Sequence, residues 1–263
     1  MNTAVPHLQS ARAAPAGARQ LFWDVFFASR GRGVDLHTHC PWLADPAATH
    51  CISLTDDGQI VAALALRERS VVGVGRIGLI GLVCVHEAWR GRGLSRQLLD
   101  AAVSQARDDG LADLLLWTAK PEVYATLGFE ADRQEQFIQV DAPTRASTVP
   151  ASSGPTPRGP GLPPFATAAW DWATGDASLT TLDGPAGATL ADWSGDWDGV
   201  FRLIDDALPR HWSVNLPADA PLLGELTRRD YRCAARPGAW QLRLHTGSGP
   251  AAPLPPIPLL ERV

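Results

Sequence analysis

The run Ile77 to Val85 (IGLIGLVCV) contains no charged or polar side chain beyond a cysteine, which suits a central strand covered on both faces. It leads at once into His86-Glu87-Ala88-Trp89-Arg90-Gly91-Arg92-Gly93-Leu94-Ser95. A segment follows whose Leu94, Leu98, Ala101, Ala102 and Gln105 share one helical face up to Arg107. Strand, glycine turn and amphipathic helix in that order demand a layered α/β architecture, because a strand buried on both faces needs helices above and below it.

The surrounding pattern agrees. Ala18 to Ser29 carries Leu21, Phe22, Val25 and Phe26 at helical spacing, and Gly31 to Thr49 reads as a loop with a short second helix. Cys51 to Leu54 and Ile60 to Arg67 flank Asp56-Asp57-Gly58, a hairpin signal. Leu114 to Thr118 (LLLWT) is another buried strand, Glu122 to Leu127 a short helix, and Gln136 to Val140 a strand closing the first sheet. Gly73-Val74-Gly75-Arg76-Ile77-Gly78 spells GxGxxG, but it runs into a strand instead of opening a helix, so it reads as a connection.

The turn after Val85 carries the chemistry. A strand that ends in glycines and opens a helix presents unpaired N–H groups and the positive end of the helix dipole, a setting that favours phosphate. Gly91 and Gly93 permit close approach of a ligand to the backbone, Arg90 and Arg92 add positive charge, and Ser95 is small.

Here the sequence resembles the GNAT acetyltransferases, whose coenzyme A pyrophosphate loop reads Arg/Gln-x-x-Gly-x-Gly/Ala. Arg90-Gly91-Arg92-Gly93-Leu94-Ser95 matches except at the last position, where serine replaces a smaller residue. Val123-Tyr124-Ala125-Thr126-Leu127-Gly128-Phe129 is similar to the family's FYxxLGF helix, and the resemblance extends from about Leu21 to Val140. It implies an α/β GNAT fold, a mixed central sheet flanked by helices. It also implies acetyl-CoA as co-substrate, held in the splay between Ile77–Val85 and Leu114–Thr118, with transfer to a small-molecule or peptide amine in a ternary complex. Val83 and Val85 would pair with the pantetheine arm, and Arg90, Gly91, Arg92, Gly93, Leu94 and Ser95 would hold the diphosphate. Tyr124 would protonate the departing thiolate. No asparagine or carboxylate in Gly81 to Val85 offers a general base, which leaves Glu87 or a water-mediated path. A protein that senses acyl-CoA without turning it over is the alternative.

The stretch from Ala142 to Pro164 loses all apolar periodicity to Pro, Gly, Ser and Thr, so a first domain is expected over 1–145 and a linker over 146–164. Residues 165–263 give a weaker echo of the first half. Strands are expected at Phe165–Trp172, Ser178–Leu182, Ala188–Trp193, Trp212–Leu216 and Trp240–Leu244, and helices at Trp197–Leu208 and Pro221–Arg228. This is a smaller degenerate GNAT-like α+β domain, with Asp196-Trp197-Asp198-Gly199 in place of the phosphate turn. Closing the acceptor pocket, extending the sheet or forming a homodimer are the roles open to it.

The segment Asp35-Leu36-His37-Thr38-His39-Cys40, with His50 and Cys51 beyond, matches no common zinc spacing, so no metal is expected. His37, His39 and Trp42 are instead candidates for the acceptor side. The net charge of −5 argues against a polyanion-binding surface while leaving room for a local basic loop, so nucleic acid is not an expected partner. No membrane span or secretory leader is apparent, and a cytoplasmic location is the expectation. Cys40, Cys51, Cys84 and Cys233 lack any CxxC spacing and are expected as reduced thiols.

Overall fold

The computed structural model describes residues 5–144 and 154–262. Its first half contains β1 (His7–Arg12), α1 (Ala16–Phe26), the single-turn α2 (Leu36–His39), β2 (Thr49–Asp56), β3 (Gln59–Val71), β4 (Gly75–Val85), α3 (Leu94–Asp108), β5 (Asp113–Thr118), α4 (Glu122–Ala125) and β6 (Glu130–Asp141). The second adds β7 (Thr156–Pro157), β8 (Ala168–Thr174), β9 (Ala177–Asp183), β10 (Ala188–Ser194), α5 (Trp197–Ala207), β11 (His211–Pro217), α6 (Pro221–Arg228) and β12 (Arg232–His245). Among the described residues no helix is long and apolar enough to cross a membrane.

The chain forms two compact units that are not the two sequence halves. It leaves the first unit within β6, after Asp132, and re-enters it within β12 at Trp240, staying there through Pro256. Two expectations are thereby corrected. Gln136 to Val140 pairs antiparallel with β11 in the second unit, and Trp240 to Leu244 pairs antiparallel with β5 in the first. Both segments have a strand pattern, and a pattern specifies a strand without naming its neighbour. The neighbour is selected by Asp113, which is fully buried at the start of β5. Its carboxylate accepts hydrogen bonds from Arg243 Nε and Nη2 at 2.7 and 2.8 Å and contacts His245 Nδ1 at 3.0 Å. Gln136 to Val140 has no cation to offer it.

In the first unit the strand order is β1-β2-β3-β4-β5-β12, with β4 and β5 parallel and the other pairs antiparallel. The β2–β3 hairpin turns through Asp57 (φ 44°) and Gly58 (φ 80°), the left-handed pair that a two-residue loop between twisted strands requires. The GxGxxG segment is the β3–β4 connection, as its context indicated. α3 packs on one sheet face with Ile52, Leu64, Leu66, Ile80, Leu114 and Leu116, while α1 covers the other at Cys51, Ala63, Ala65 and Cys84. β1 was not legible: all its residues are exposed, so its ladder with β2 leaves no apolar alternation to read.

The second unit repeats the plan. β10 and β11 run parallel over Ala188–Leu190 and Trp212–Val214, just as β4 and β5 do over Ile77–Leu79 and Asp113–Leu115, and a helix joins each pair. Its strand order is β6-β11-β10-β9-β8-β7. The expected linker lies partly outside the described residues, but its end belongs to this unit. Thr156 and Pro157 pair with β8, and Leu162 is buried with Ala166, Ala169, Leu182 and Ala191.

Candidate active site

The geometry of the first unit turns on where β4 and β5 separate. Their parallel pairing ends at Leu79 and Leu115, although β4 continues to Val85 and β5 to Thr118. A bulge accompanies the parting: the β3–β4 register shifts between Ala63 and Ala65, and Leu82 adopts φ 53°, rare for a branched side chain. Val83 and Val85, both half-buried, then point to the α3 side, and Leu82 and Cys84 to the α1 side.

Beyond Val85 the chain makes a short 3-10 turn at Glu87–Trp89 and enters α3 through Gly93 (φ 74°). Gly93 is the N-cap, so no side chain caps this helix. A Cβ on Gly91 or Gly93 would meet no atom within 4 Å, and both have positive φ. The turn is therefore an open, glycine-lined approach to a helix N-terminus, with room for a diphosphate that a filled turn would lack. Arg90 donates from Nε to the Val85 carbonyl at 3.3 Å, and the Arg92 guanidinium lies 4.5 Å from the Trp89 ring, so both charges are tied to the turn. Tyr124 stands on α4, half-buried against the α3-side core and edge-on to Phe129. Burial pushes its pKa above the usual phenol value, which keeps the hydroxyl protonated.

The family model for Acetyltransferase (GNAT) family matches residues 16–129, the stretch that contains all of these features. Residues 16–129 form a GNAT domain. Solved structures of the same fold extend the likeness to nearly the whole chain. A GCN5-related N-acetyltransferase from Kribbella flavida is 14% identical over 93% of this chain and 72% of its own, with a TM-score of 0.59. A probable N-acyltransferase from Enterococcus faecalis is 12% identical over 92% and 73%, with a TM-score of 0.62. A tandem GNAT protein from the clavulanic acid biosynthesis pathway is 12% identical over 93% of this chain and 100% of its own, with a TM-score of 0.57. No curated protein matches the sequence.

The second unit shows what the GNAT turn looks like when it is filled. α5 is capped by Asp196, whose carboxylate accepts from Gly199 N at 2.8 Å, a bond that holds the Asp196 pKa below the usual carboxylate range. A Cβ on Gly195 would lie 2.6 Å from Ala177 Cα. A carboxylate already occupies the helix N-terminus, and packed backbone closes the space before it. The helix after β11, Pro221–Arg228 (PLLGELTR), carries no tyrosine.

The acceptor-side candidates divide. His39 is buried, stacks on Phe27 with centroids 5.0 Å apart, and accepts from Val34 N at Nε2. It is built into the α1–α2 connection as packing. His37 is exposed on a groove of about 420 Å³ with Arg19, Trp23 and Asp35, and Trp42 is half-buried 5.7 Å from the Arg67 guanidinium. His50 joins neither His37 nor Cys40. It meets Glu68 at 2.9 Å and Asp109 at 3.3 Å, in a cluster where Arg12 and Arg76 also pair with Glu68. Burial raises the Glu68 pKa, but the hydrogen bond and charge of Arg76 outweigh it and leave the pKa lowered. All four cysteines are free, and burial pushes Cys40, Cys51 and Cys84 up to about 12. Two side chains that the sequence did not single out belong to this description: Arg243, which anchors β12 on β5, and Trp117, which borders the parting of β4 and β5. Neither lies in a family motif, and Arg243 acquires its partner only through folding.

Proposed function

We propose that the GNAT domain is an N-acetyltransferase that passes the acetyl group of acetyl-coenzyme A to a small-molecule or peptide amine by direct attack. The observation that carries this reading is the parting of β4 and β5 next to an uncapped, glycine-lined helix N-terminus, with a protonated tyrosine on the neighbouring helix. Bound there, acetyl-coenzyme A supplies the thioester whose acyl group is transferred.

The chain's own residues divide the work. N–H groups at the start of α3, with Arg90 and Arg92, receive the diphosphate. The β4 backbone at Val83 and Val85, freed from β5 by the parting, pairs with the pantetheine amides and holds the carbonyl in place. The amine nitrogen bonds to the carbonyl carbon as the C–S bond breaks, and the Tyr124 hydroxyl gives its proton to the departing sulfur. The proton lost by the amine leaves through Glu87 or a chain of water. Direct attack is favoured over an acyl-enzyme because Cys84, the one thiol on β4, is buried on the α1 face with its pKa pushed up to about 12. The second unit keeps a packing role and binds no coenzyme.

An amine panel tests this, with acetyl-coenzyme A, continuous detection of free thiol and mass spectrometry of products. Steady thiol release with one or more amines and a product heavier by one acetyl group are expected. Tight acetyl-coenzyme A binding without turnover on any amine would instead favour a sensor.

A further inference from the structure

Trp117 sits two residues beyond Leu115, the last β5 residue paired with β4. Side chains alternate along a strand, which places Asp113, Leu115 and Trp117 on one face and Leu114 and Leu116 on the other. Leu114 and Leu116 pack with α3. Trp117 therefore faces the opposite side of the sheet, the side α1 covers at Ala63, Ala65 and Cys84. With the diphosphate at the start of α3, this is the side left for an incoming amine.

Two observations mark the indole. The Arg262 guanidinium carbon lies 5.4 Å from the ring centroid, within reach of cation–π attraction. The indole N–H is shut off from water without a hydrogen-bond partner, whereas a tryptophan N–H so placed usually has one. The ring itself is only half-buried, and Arg262 lies beyond the last short helical turn at Leu259–Glu261, so it can be displaced without breaking a helix or strand. Among the other charged groups on this face, Asp113, Arg243 and His245 are engaged with one another, Asp132 accepts from Gln241, the residue paired with Trp117, and Arg67 lies over the Trp42 ring.

We propose that Trp117 is the platform for the acceptor and that Arg262 holds the place of a positive group on it. The preferred acceptors are then amines with a second cationic group, of the diamine and polyamine class, and displacement of Arg262 opens the site. The proposal rests on the acetyltransferase reading.

Acetylation of 1,6-diaminohexane is compared with that of n-hexylamine, which has the same carbon chain and one ammonium fewer. The diamine should show a kcat/KM roughly 2- to 30-fold higher, the span a cation–π contact covers between exposed and desolvated settings. Trp117→Leu should remove that preference while acetyl-coenzyme A affinity and Tm hold. Arg262→Ala, which leaves the ring intact, should lower KM for the diamine several-fold. Calorimetry of 1,6-diaminohexane with the protein gives a readout independent of turnover. If no amine is acetylated, the transferase reading falls, yet diamine binding weakened by Trp117→Leu still supports the platform. Equal kcat/KM for the two amines, or diamine binding and KM untouched by both substitutions, overturns it.

Discussion

A chain ending at Arg145 retains the whole matched GNAT segment, yet it should not fold. It lacks Trp240–His245, which pairs residue by residue with Thr118–Asp113. Three losses follow. Asp113, fully buried, is stripped of Arg243 and His245, and breaking a buried ion pair from one side costs about 3–5 kcal/mol. Leu242, 1% exposed, leaves the α3-side core, a loss of about 1.5–3 kcal/mol in burial alone. The β5 edge loses its ladder, at a net ~1 kcal/mol for each hydrogen bond. The first two losses alone come to roughly 4.5–8 kcal/mol, comparable with the entire stability of an ordinary domain. Circular dichroism, dye binding and thermal scans of the shortened chain should show no cooperative transition and an apolar surface. Calorimetry should detect no coenzyme A binding. A soluble 1–145 chain with a sharp melting transition and full activity would refute the account of how the first unit is closed.

Gly93→Val should abolish coenzyme A binding in a protein that still folds, since the side chain would fill the open space at the turn; its φ of 74° adds a strain of about 1–2 kcal/mol, visible in Tm. Tyr124→Phe should keep coenzyme A affinity and lower kcat about 10²-fold in pre-steady-state measurements where chemistry limits the rate. His245 has Nδ1 3.0 Å from Asp113 and Nε2 2.7 Å from the Gly249 carbonyl, and only the doubly protonated ring donates to both. Its pKa is raised, first by the Asp113 hydrogen bond and then by Gly249. The folded state thus holds its proton more tightly, and the contribution to stability is complete below the unfolded pKa of about 6.5 and disappears as pH rises through the folded value. Urea midpoints between pH 6 and 9 should fall in the wild type, and this component should vanish in His245→Gln.

Elements whose residues report their own surroundings were legible in the sequence. IGLIGLVCV announced a two-face burial, Asp57-Gly58 announced its turn, and Arg90–Ser95 announced a helix start without a cap. The structure adds what depends on distant residues. Leu242 and Ile138 are equally apolar in similar alternating strands, and only the buried Asp113 on β5 distinguishes them, through a cation more than a hundred positions away. His39 looked like a site residue because exposed and stacked histidines are identical as letters; the Phe27 ring and the Val34 N–H decide its role. Trp117 was read only as a strand residue, because the partial pairing of β4 with β5 that leaves it at the cleft is a matter of register.

The exchange of β6 and β12 between the two units also sets a timetable for synthesis. When Thr118 leaves the ribosome its partner Trp240 has not been made, and at roughly 5–20 residues per second it arrives about 6–24 s later. Helices and hairpins form in microseconds, so local elements such as α3 and the β2–β3 hairpin can form and wait while β5 is unpaired. During that interval another strand could pair there, and Gln136–Val140 is the first apolar strand to emerge. Its lack of a cation for Asp113 makes that premature pairing unstable, so the edge stays available for the strand that carries Arg243 and His245.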